Sequence, residues 1–138
     1  MTIQRILEKS HNLGTVMVAE NIENEDFYNT WEKLGFGSSL GIMPGTENQG
    51  ELRHFSSWRD SDKRSLSFGH GPMTTNLAQL ARAYLVFANE GSMPSLKLIK
   101  SEYHNDSLEH VFTPESTKRI SEIPVSYTHL TLPTIYSV

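Results

Sequence analysis

Ile3, Ile6 and Leu7 recur at i, i+3 and i+4, the spacing that lines one face of a helix, so residues 2–9 are predicted as a short amphipathic helix. Ser10-His11-Asn12 interrupts it. Serine and asparagine side chains compete for backbone hydrogen bonds and so favour caps and turns. From Leu13 to Ala19 the chain is apolar on nearly every side, which predicts a buried, central helix. A further helix is expected from Asn24 as N-cap, with Glu25 and Asp26 in its first turn, where carboxylates favour the positive end of the helix dipole. Phe27, Trp31 and Leu34 form its buried stripe, and Gly35 supplies the left-handed residue that ends it, followed by Phe36 as the hydrophobic contact.

Residues 37–50 hold four glycines and a proline and read as a loop, with a short hairpin expected around Gly41–Gly45. Ser67-Phe68-Gly69-His70-Gly71 carries two glycines two apart, which permits positive φ or close backbone approach. Asn76 with Gln79 three residues on forms a capping-box variant opening a helix. Leu77, Leu80, Ala81, Tyr84, Leu85 and Ala88 are its predicted apolar face, closed by Gly91. Leu96–Ile99 is predicted as a short strand. Another helix is expected from Thr113-Pro114-Glu115, where threonine caps and proline takes the first helical position. No internal repeat is visible. The pattern as a whole predicts a largely helical domain with little sheet.

Composition narrows the function classes. At 138 residues, 37% hydrophobic and 20% charged, the chain is one ordinary globular domain. A net charge of −4 and scattered basic residues exclude a nucleic-acid footprint and a polybasic membrane patch. Without cysteine there is no disulfide, thiolate–zinc site or thiol catalysis, which leaves the compartment open. No apolar run reaches transmembrane length, and no signal-peptide pattern follows Met1.

Of the six histidines, none stands at the His-x-x-x-His spacing that sets two imidazoles on one helix face for a metal. Histidines 54, 70, 104 and 110 read as surface or loop residues. Glu23, Glu25 and Asp26 bracket a helix start and read as a solvated cap. No phosphate-loop pattern occurs. The aromatics Phe27, Tyr28, Trp31 and Phe36 lie at helical spacing, so core packing accounts for them. Ser10-His11-Asn12 has two readings. It is either a turn between helices with Asn12 as N-cap, or a hydroxyl and a carboxamide turned together into a cleft. In the second case the hydroxyl relays a proton, and the carboxamide both donates to and accepts from a substrate amide.

The wider context bears on that choice. Lys9-Ser10-His11-Asn12-Leu13-Gly14-Thr15 resembles the K-S-S-N-x-G segment of class B penicillin-binding proteins, in which S-x-N is the second of three active-site motifs. Leu34-Gly35-Phe36-Gly37 resembles the F-G-x-G helix end of the septal branch, and Pro44-Gly45-Thr46-Glu47 with Gly50 resembles its P-G-E-x-x-G loop. Trp58 with Asp60 is similar to its R-W-S-D stretch. Ser67–Gly71 followed by Gln79-Leu80-Ala81-Arg82-Ala83-Tyr84 resembles S-F-G-Y-G … L-Q-L-A-R-A-Y, and Val111–Ser116 resembles V-F-x-x-E-S. These matches run collinearly from Ile3 to Ile123.

The resemblance implies part of the α/β (α+β) penicillin-binding, serine β-lactamase-like transpeptidase fold: a mostly helical portion with little of the five-stranded sheet. Apolar helix faces made for that sheet are then expected to be exposed. In such enzymes a serine of an S-x-x-K motif attacks D-Ala-D-Ala stem peptides of peptidoglycan, or a β-lactam, and the acyl group passes to a neighbouring strand's amine. By resemblance, Ser10 is the proton-relaying serine, Asn12 holds the substrate's amide, and Phe68 and His70 line the cleft. Position 70 departs from the usual tyrosine, the loop after Gly71 is one residue longer, and Leu77 stands where the family has proline. No S-x-x-K or K-S/T-G occurs in the chain, so the 138 residues alone are expected to be inactive. No cofactor is implied. The implied parent is anchored in a bacterial inner membrane, faces the periplasm and works with division proteins. A serine β-lactamase or D,D-carboxypeptidase relative and a non-catalytic helical interaction domain are the alternatives.

Residues 125–138, VSYTHLTLPTIYSV, carry no charge and no glycine. They resemble an in-frame translation of a sequencing-library adaptor. The expected organisation is therefore a partial transpeptidase domain over 1–124 and an extraneous tail over 125–138.

Overall fold

The computed structural model describes residues 2–43, 45–96 and 108–128, with side chains through Ile123 in the last segment. Helices α1 (Ile3–Glu8), α2 (Asn12–Ala19) and α3 (Asn24–Lys33) come first, then a single 3₁₀ turn at Phe55–Ser57 and helix α4 (Asp60–Leu66). Helix α5 (Leu77–Ala88), strands β1 (Ser92–Met93) and β2 (Glu109–His110), and helix α6 (Pro114–Thr128) complete the order. The strands pair antiparallel, Ser92 opposite His110 and Met93 opposite Glu109. An isolated bridge joins Glu51 to Thr74. Among the described residues the fold is thus mostly helical with one small sheet.

Helix α5 organises the packing. Its opening is the predicted capping box: the Asn76 side chain accepts the Gln79 N–H at 2.8 Å, and the Gln79 side chain accepts the Asn76 N–H at 3.1 Å. Its inner face is Gln79, Ala83 and Val86, and α5 packs on β1 and α6. The remaining buried apolar residues are Ile6, Ala19, Phe36, Leu66 and Met93. Helix α1 packs against α2 and α6, and α2 against α4. At the α2–α4 junction the Lys63 ammonium donates to the Ile22 carbonyl, and Arg64 pairs with Glu20 at 2.9 Å.

Several expectations are corrected. Helix α2 is not central: only Gly14 and Ala19 are buried, while Leu13 is 65% and Met17 61% exposed. An all-round apolar helix needs partners on every side, and α1 and α4 cover only part of it. The face predicted for α5 is the wrong one, since Leu77 is 85% and Tyr84 67% exposed and Leu80 and Leu85 are also exposed. Its buried stripe instead places a carboxamide, Gln79, among small apolar residues. Asn24 is the first residue of α3 rather than its cap; Glu23 takes that place without a side-chain bond. The Phe27, Trp31 and Leu34 stripe is only half-buried. No hairpin forms at Gly41–Gly45 among the described residues, because the N–H groups there turn inward onto the Glu47 carboxylate. Glu47 accepts from Leu40 at 2.8 Å, Gly41 at 3.1 Å, Met43 at 2.5 Å and the Ser39 hydroxyl at 2.5 Å. The strand predicted at Leu96–Ile99 falls outside the described residues, apart from Leu96 itself.

Candidate active site

Helix α1 is capped by Thr2, whose hydroxyl accepts the Arg5 N–H at 3.3 Å. It ends in a Schellman motif. The Ser10 N–H donates to the Leu7 carbonyl at 3.1 Å, and the His11 N–H reaches back to the Ile6 carbonyl at 3.0 Å. Those are the two bonds that close such a motif, and the residue between them must be left-handed. Glycine usually takes that place, yet here it is Ser10, at φ 48°. The β-carbon at such a φ costs about 1–2 kcal/mol, so the two bonds hold Ser10 in a conformation it does not favour. The same motif ends α3 without that cost, with Gly35 at φ 86°. There the ring of Phe36 lies 5.1 Å from that of Trp31, the two positions this motif brings into hydrophobic contact.

Helix α2 begins immediately afterwards. Its N-cap is His11, not Asn12: the Gly14 N–H donates to His11 Nδ1 at 2.9 Å. A β-carbon on Gly14 would sit 2.8 Å from Ile6 Cγ1 and 3.1 Å from His11 Nδ1. The missing side chain at 14 therefore lets both the imidazole and α1 close onto the helix start. Because the imidazole does the capping, the Ser10 hydroxyl and the Asn12 carboxamide are left exposed and make no hydrogen bond to any described residue. The turn reading with Asn12 as cap is thereby corrected. One short turn presents a hydroxyl and a carboxamide with full capacity to donate and accept.

Ser10 also lies at the edge of an apolar groove of about 550 Å³, within the usual range for ligand pockets. Leu7 and Glu8 of α1, Trp31, Leu34 and Phe36 at the end of α3, Leu80, Ala83, Tyr84 and Phe87 of α5, Phe112, and Ile120 and Ile123 of α6 form its walls. Asn12, Phe68 and His70 do not line it. Phe68 and His70 come together elsewhere, in the loop after α4, with their rings stacked at 6.3 Å and 7° and both side chains exposed. Gly69 at φ 78° and Gly71 at φ 116° shape that loop.

Sequence reasoning missed two supporting residues. Gln79 is fully buried, and its Nε2 donates to the carbonyls of Ser38 at 2.7 Å and Gln49 at 2.8 Å, with a longer contact to Gly35 at 3.4 Å. The capping box signalled its role in α5; its grip on two distant loops had no local signal. Glu47 is the other. The Ser39 hydroxyl, then the N–H groups of Met43, Leu40 and Gly41, pull its carboxyl down to about 2. On α3, partial burial and then the neighbouring Glu32 carboxylate push the Tyr28 phenol up. Among the described residues no group of three histidines or carboxylates is arranged to hold a metal ion, and no helix is long and apolar enough to cross a membrane.

This arrangement of helices has close counterparts. A peptidoglycan glycosyltransferase from Burkholderia ambifaria superposes with a TM-score of 0.84 at 27% identity, over 89% of this chain and 39% of that one. The transpeptidase domain of penicillin-binding protein 3 from Burkholderia pseudomallei superposes with a TM-score of 0.83 at 25% identity, over 89% and 37%. The helices and small sheet are thus part of the α+β penicillin-binding transpeptidase fold. The penicillin binding protein transpeptidase domain family matches residues 1–132, and the chain belongs to that family. A probable peptidoglycan D,D-transpeptidase, PbpC of Pseudomonas aeruginosa, is 33% identical over 121 residues, 87% of this chain and 21% of the relative. PenA of Neisseria gonorrhoeae, named likewise, is 29% identical over 129 residues, 93% and 22%. The peptidoglycan D,D-transpeptidase FtsI of Escherichia coli is 29% identical over 100 residues, 72% and 17%. The chain spans about a fifth of the length of these curated relatives.

Proposed function

We propose that the chain is the S-x-N-bearing part of a serine D,D-transpeptidase that cross-links peptidoglycan, of the septal branch. The parent's nucleophilic serine attacks the carbonyl between the two D-alanines, expels the terminal D-alanine and hands the acyl group to an amine of a neighbouring stem peptide. Ser10 relays the proton between the active-site lysines and the leaving group, and Asn12 holds the amide of the acyl donor. Phe68 and His70 form part of the cleft wall. The observation that carries this reading is the pair of polar side chains, Ser10 and Asn12, that bond to no described residue and stand on a strained turn whose local hydrogen bonds are met by other groups.

The apolar groove beside Ser10 and the bare face of α5 are where the rest of the parent domain packs, including the helix that supplies the nucleophile. The parent is held in the inner membrane with this domain in the periplasm, works beside division proteins and is acylated by β-lactams. The 138 residues alone do not acylate, since they contain neither S-x-x-K nor K-S/T-G. Residues 125–138 are extraneous to the domain, so a chain ending at Pro124 keeps the same core.

The test is labelling with a fluorescent penicillin. The purified chain is expected to carry no label that survives denaturation, whereas the parent recovered from the flanking gene labels at one serine. Asn12→Ala in that parent is expected to slow acylation by about 10²-fold or more, the scale of a lost positioning contact. Stable labelling of the isolated chain, or a parent indifferent to Asn12→Ala, overturns the reading. Sequencing reads from independently prepared libraries that run on unchanged past the codon for Pro124 would overturn the assignment of the tail.

A further inference from the structure

His11 is fixed from three sides. Its N–H is bound by the Ile6 carbonyl of α1 at 3.0 Å, and its carbonyl accepts the Thr15 N–H at 3.0 Å and the Thr15 hydroxyl at 3.1 Å. Its ring nitrogen accepts the Gly14 N–H at 2.9 Å. The residues on either side of it are Ser10 and Asn12. Ser10 is held left-handed by the Schellman bonds that His11 helps to close, and Asn12 is the first residue of the helix that His11 caps. The placement of both side chains therefore passes through His11, that of Ser10 through its backbone N–H and that of Asn12 through its imidazole cap.

An imidazole caps differently from serine, asparagine or aspartate. Nδ1 accepts a hydrogen bond only in the neutral ring that carries its proton on Nε2. Protonation turns the acceptor into a donor facing the Gly14 N–H, and it sets a positive charge at the positive end of the α2 dipole. Both effects act against the cap.

The surrounding charges do little to offset this. Helix α2 has no acidic residue in its first turn. Helix α1 carries Arg5 and Glu8, with Lys9 just beyond it. On α4, which packs against α2, Lys63 and Arg64 are engaged at the far end of α2 with Ile22 and Glu20, while Asp62 is paired with Arg53. Asp60 completes the charges of α4, and α6, which packs on α1, carries Glu115, Lys118, Arg119 and Glu122.

We propose that His11 is the positioning residue of the Ser10 and Asn12 pair, and that the S-x-N turn keeps its shape only while the His11 ring is neutral. The role assigned to Ser10 and Asn12 rests on the transpeptidase reading. The cap and its proton dependence rest on geometry alone. Acidification frees the ring from Gly14, frays the first turn of α2 and releases Ser10 from its left-handed conformation. In the parent enzyme this makes acylation fall on the acid side with the titration of one imidazole.

The test uses amide NMR spectra of the full 138-residue chain between pH 5 and pH 8. The amides of Ser10, Asn12 and Gly14 are expected to move together with a single midpoint, the same midpoint at which the His11 ring protons titrate. The amides of Phe36 and Val86 report that the core stays folded. His11→Ser supplies a cap that does not titrate in this range, and it should hold the three amides at their high-pH positions throughout. His11→Asn is a second cap of the same kind should the serine variant fold poorly. His11→Ala should resemble the acid form at every pH, with the Gly14 amide exchanging roughly fivefold faster than in His11→Ser, the scale of a lost N-cap.

Three amides that ignore the His11 titration, or that titrate unchanged in His11→Ser and His11→Asn, overturn the proposal. So does a His11→Ala chain that retains the wild-type acid transition. Penicillin labelling enters none of these measurements, so failure of the transpeptidase reading and failure of the cap are distinguishable.

Discussion

The carboxamide of Gln79, buried on α5, donates to the carbonyl of Ser38 at 2.7 Å, across forty-one residues of chain. The same nitrogen serves Gln49, and the oxygen accepts the Asn76 N–H at 3.1 Å and the Thr75 hydroxyl at 2.9 Å. One side chain thus starts a helix and fastens the loops after α3 and before the Glu51–Thr74 bridge.

Removing it leaves the part-buried bonds to the Ser38 and Gln49 carbonyls without their donor. Gln79→Leu is expected to cost about 2–4 kcal/mol, more than an ordinary hydrogen bond because several polar groups lose their partner together. Gln79→Glu keeps the shape but aims a carboxylate at the Ser38 and Gln49 carbonyls. It should be at least as damaging at neutral pH and recover partly, relative to wild type, as acid returns a proton to the carboxyl. Urea unfolding followed by circular dichroism reads both, and a loss under about 0.5 kcal/mol, the scale of neutral surface changes, would contradict the hub.

Ser10 is strained where glycine is at ease. Ser10→Gly is expected to stabilise the isolated chain by up to about 1 kcal/mol, the relieved β-carbon strain being partly offset by the greater freedom of glycine in the unfolded state. In the parent enzyme the same change should remove the relay proposed for Ser10 and slow acylation. A thermal melt and an acylation rate moving in opposite directions would mark a site where function has been kept at a cost in stability.

Gly14 leaves room for Ile6. Alanine is the better helix former by about 1 kcal/mol, yet its β-carbon would stand 2.8 Å from Ile6 Cγ1. Overpacking of this kind costs about 1–3 kcal/mol, so Gly14→Ala should destabilise on balance. Ile6→Ala should also destabilise when made alone. Combined, the two should cost less than their sum, and a double-mutant cycle measures that coupling.

Glu47 ties its own loop. Its carboxyl is held at about 2, below its ordinary 4.5, by the Ser39 hydroxyl and then the surrounding N–H groups. A carboxyl lowered on folding contributes stability that is fully present above the ordinary value and is lost as pH falls toward the folded one. Between pH 5 and pH 2 the difference between wild type and Glu47→Gln should therefore shrink. Hydrogen exchange at the Leu40, Gly41 and Met43 amides should show them protected in wild type at pH 5 and fast in the variant. Equal exchange in both would show that the carboxylate does not hold the loop.

What the sequence determined by itself was local or collinear. The capping box at Asn76 and Gln79, the left-handed Gly35 with Phe36 packed on Trp31, and the helix opened by Thr113-Pro114 each depend on residues within about one turn, so propensity and spacing reveal them. The order of motifs from Lys9 to Ser116 identified the family because a series of weak matches in one order is specific where each alone is not.

The tertiary structure decided which faces are covered. Hydrophobic periodicity marks a face as apolar but does not say whether a partner lies against it, so Leu13, Leu77 and Tyr84 were expected inside and lie outside. It also decided what caps what. That His11 rather than Asn12 closes the start of α2, and that Ser10 takes a position glycine usually holds, follows from α1 folding back onto Gly14. A close approach between two helices is not written in either helix alone. It fixes the serine and the asparagine of the S-x-N turn.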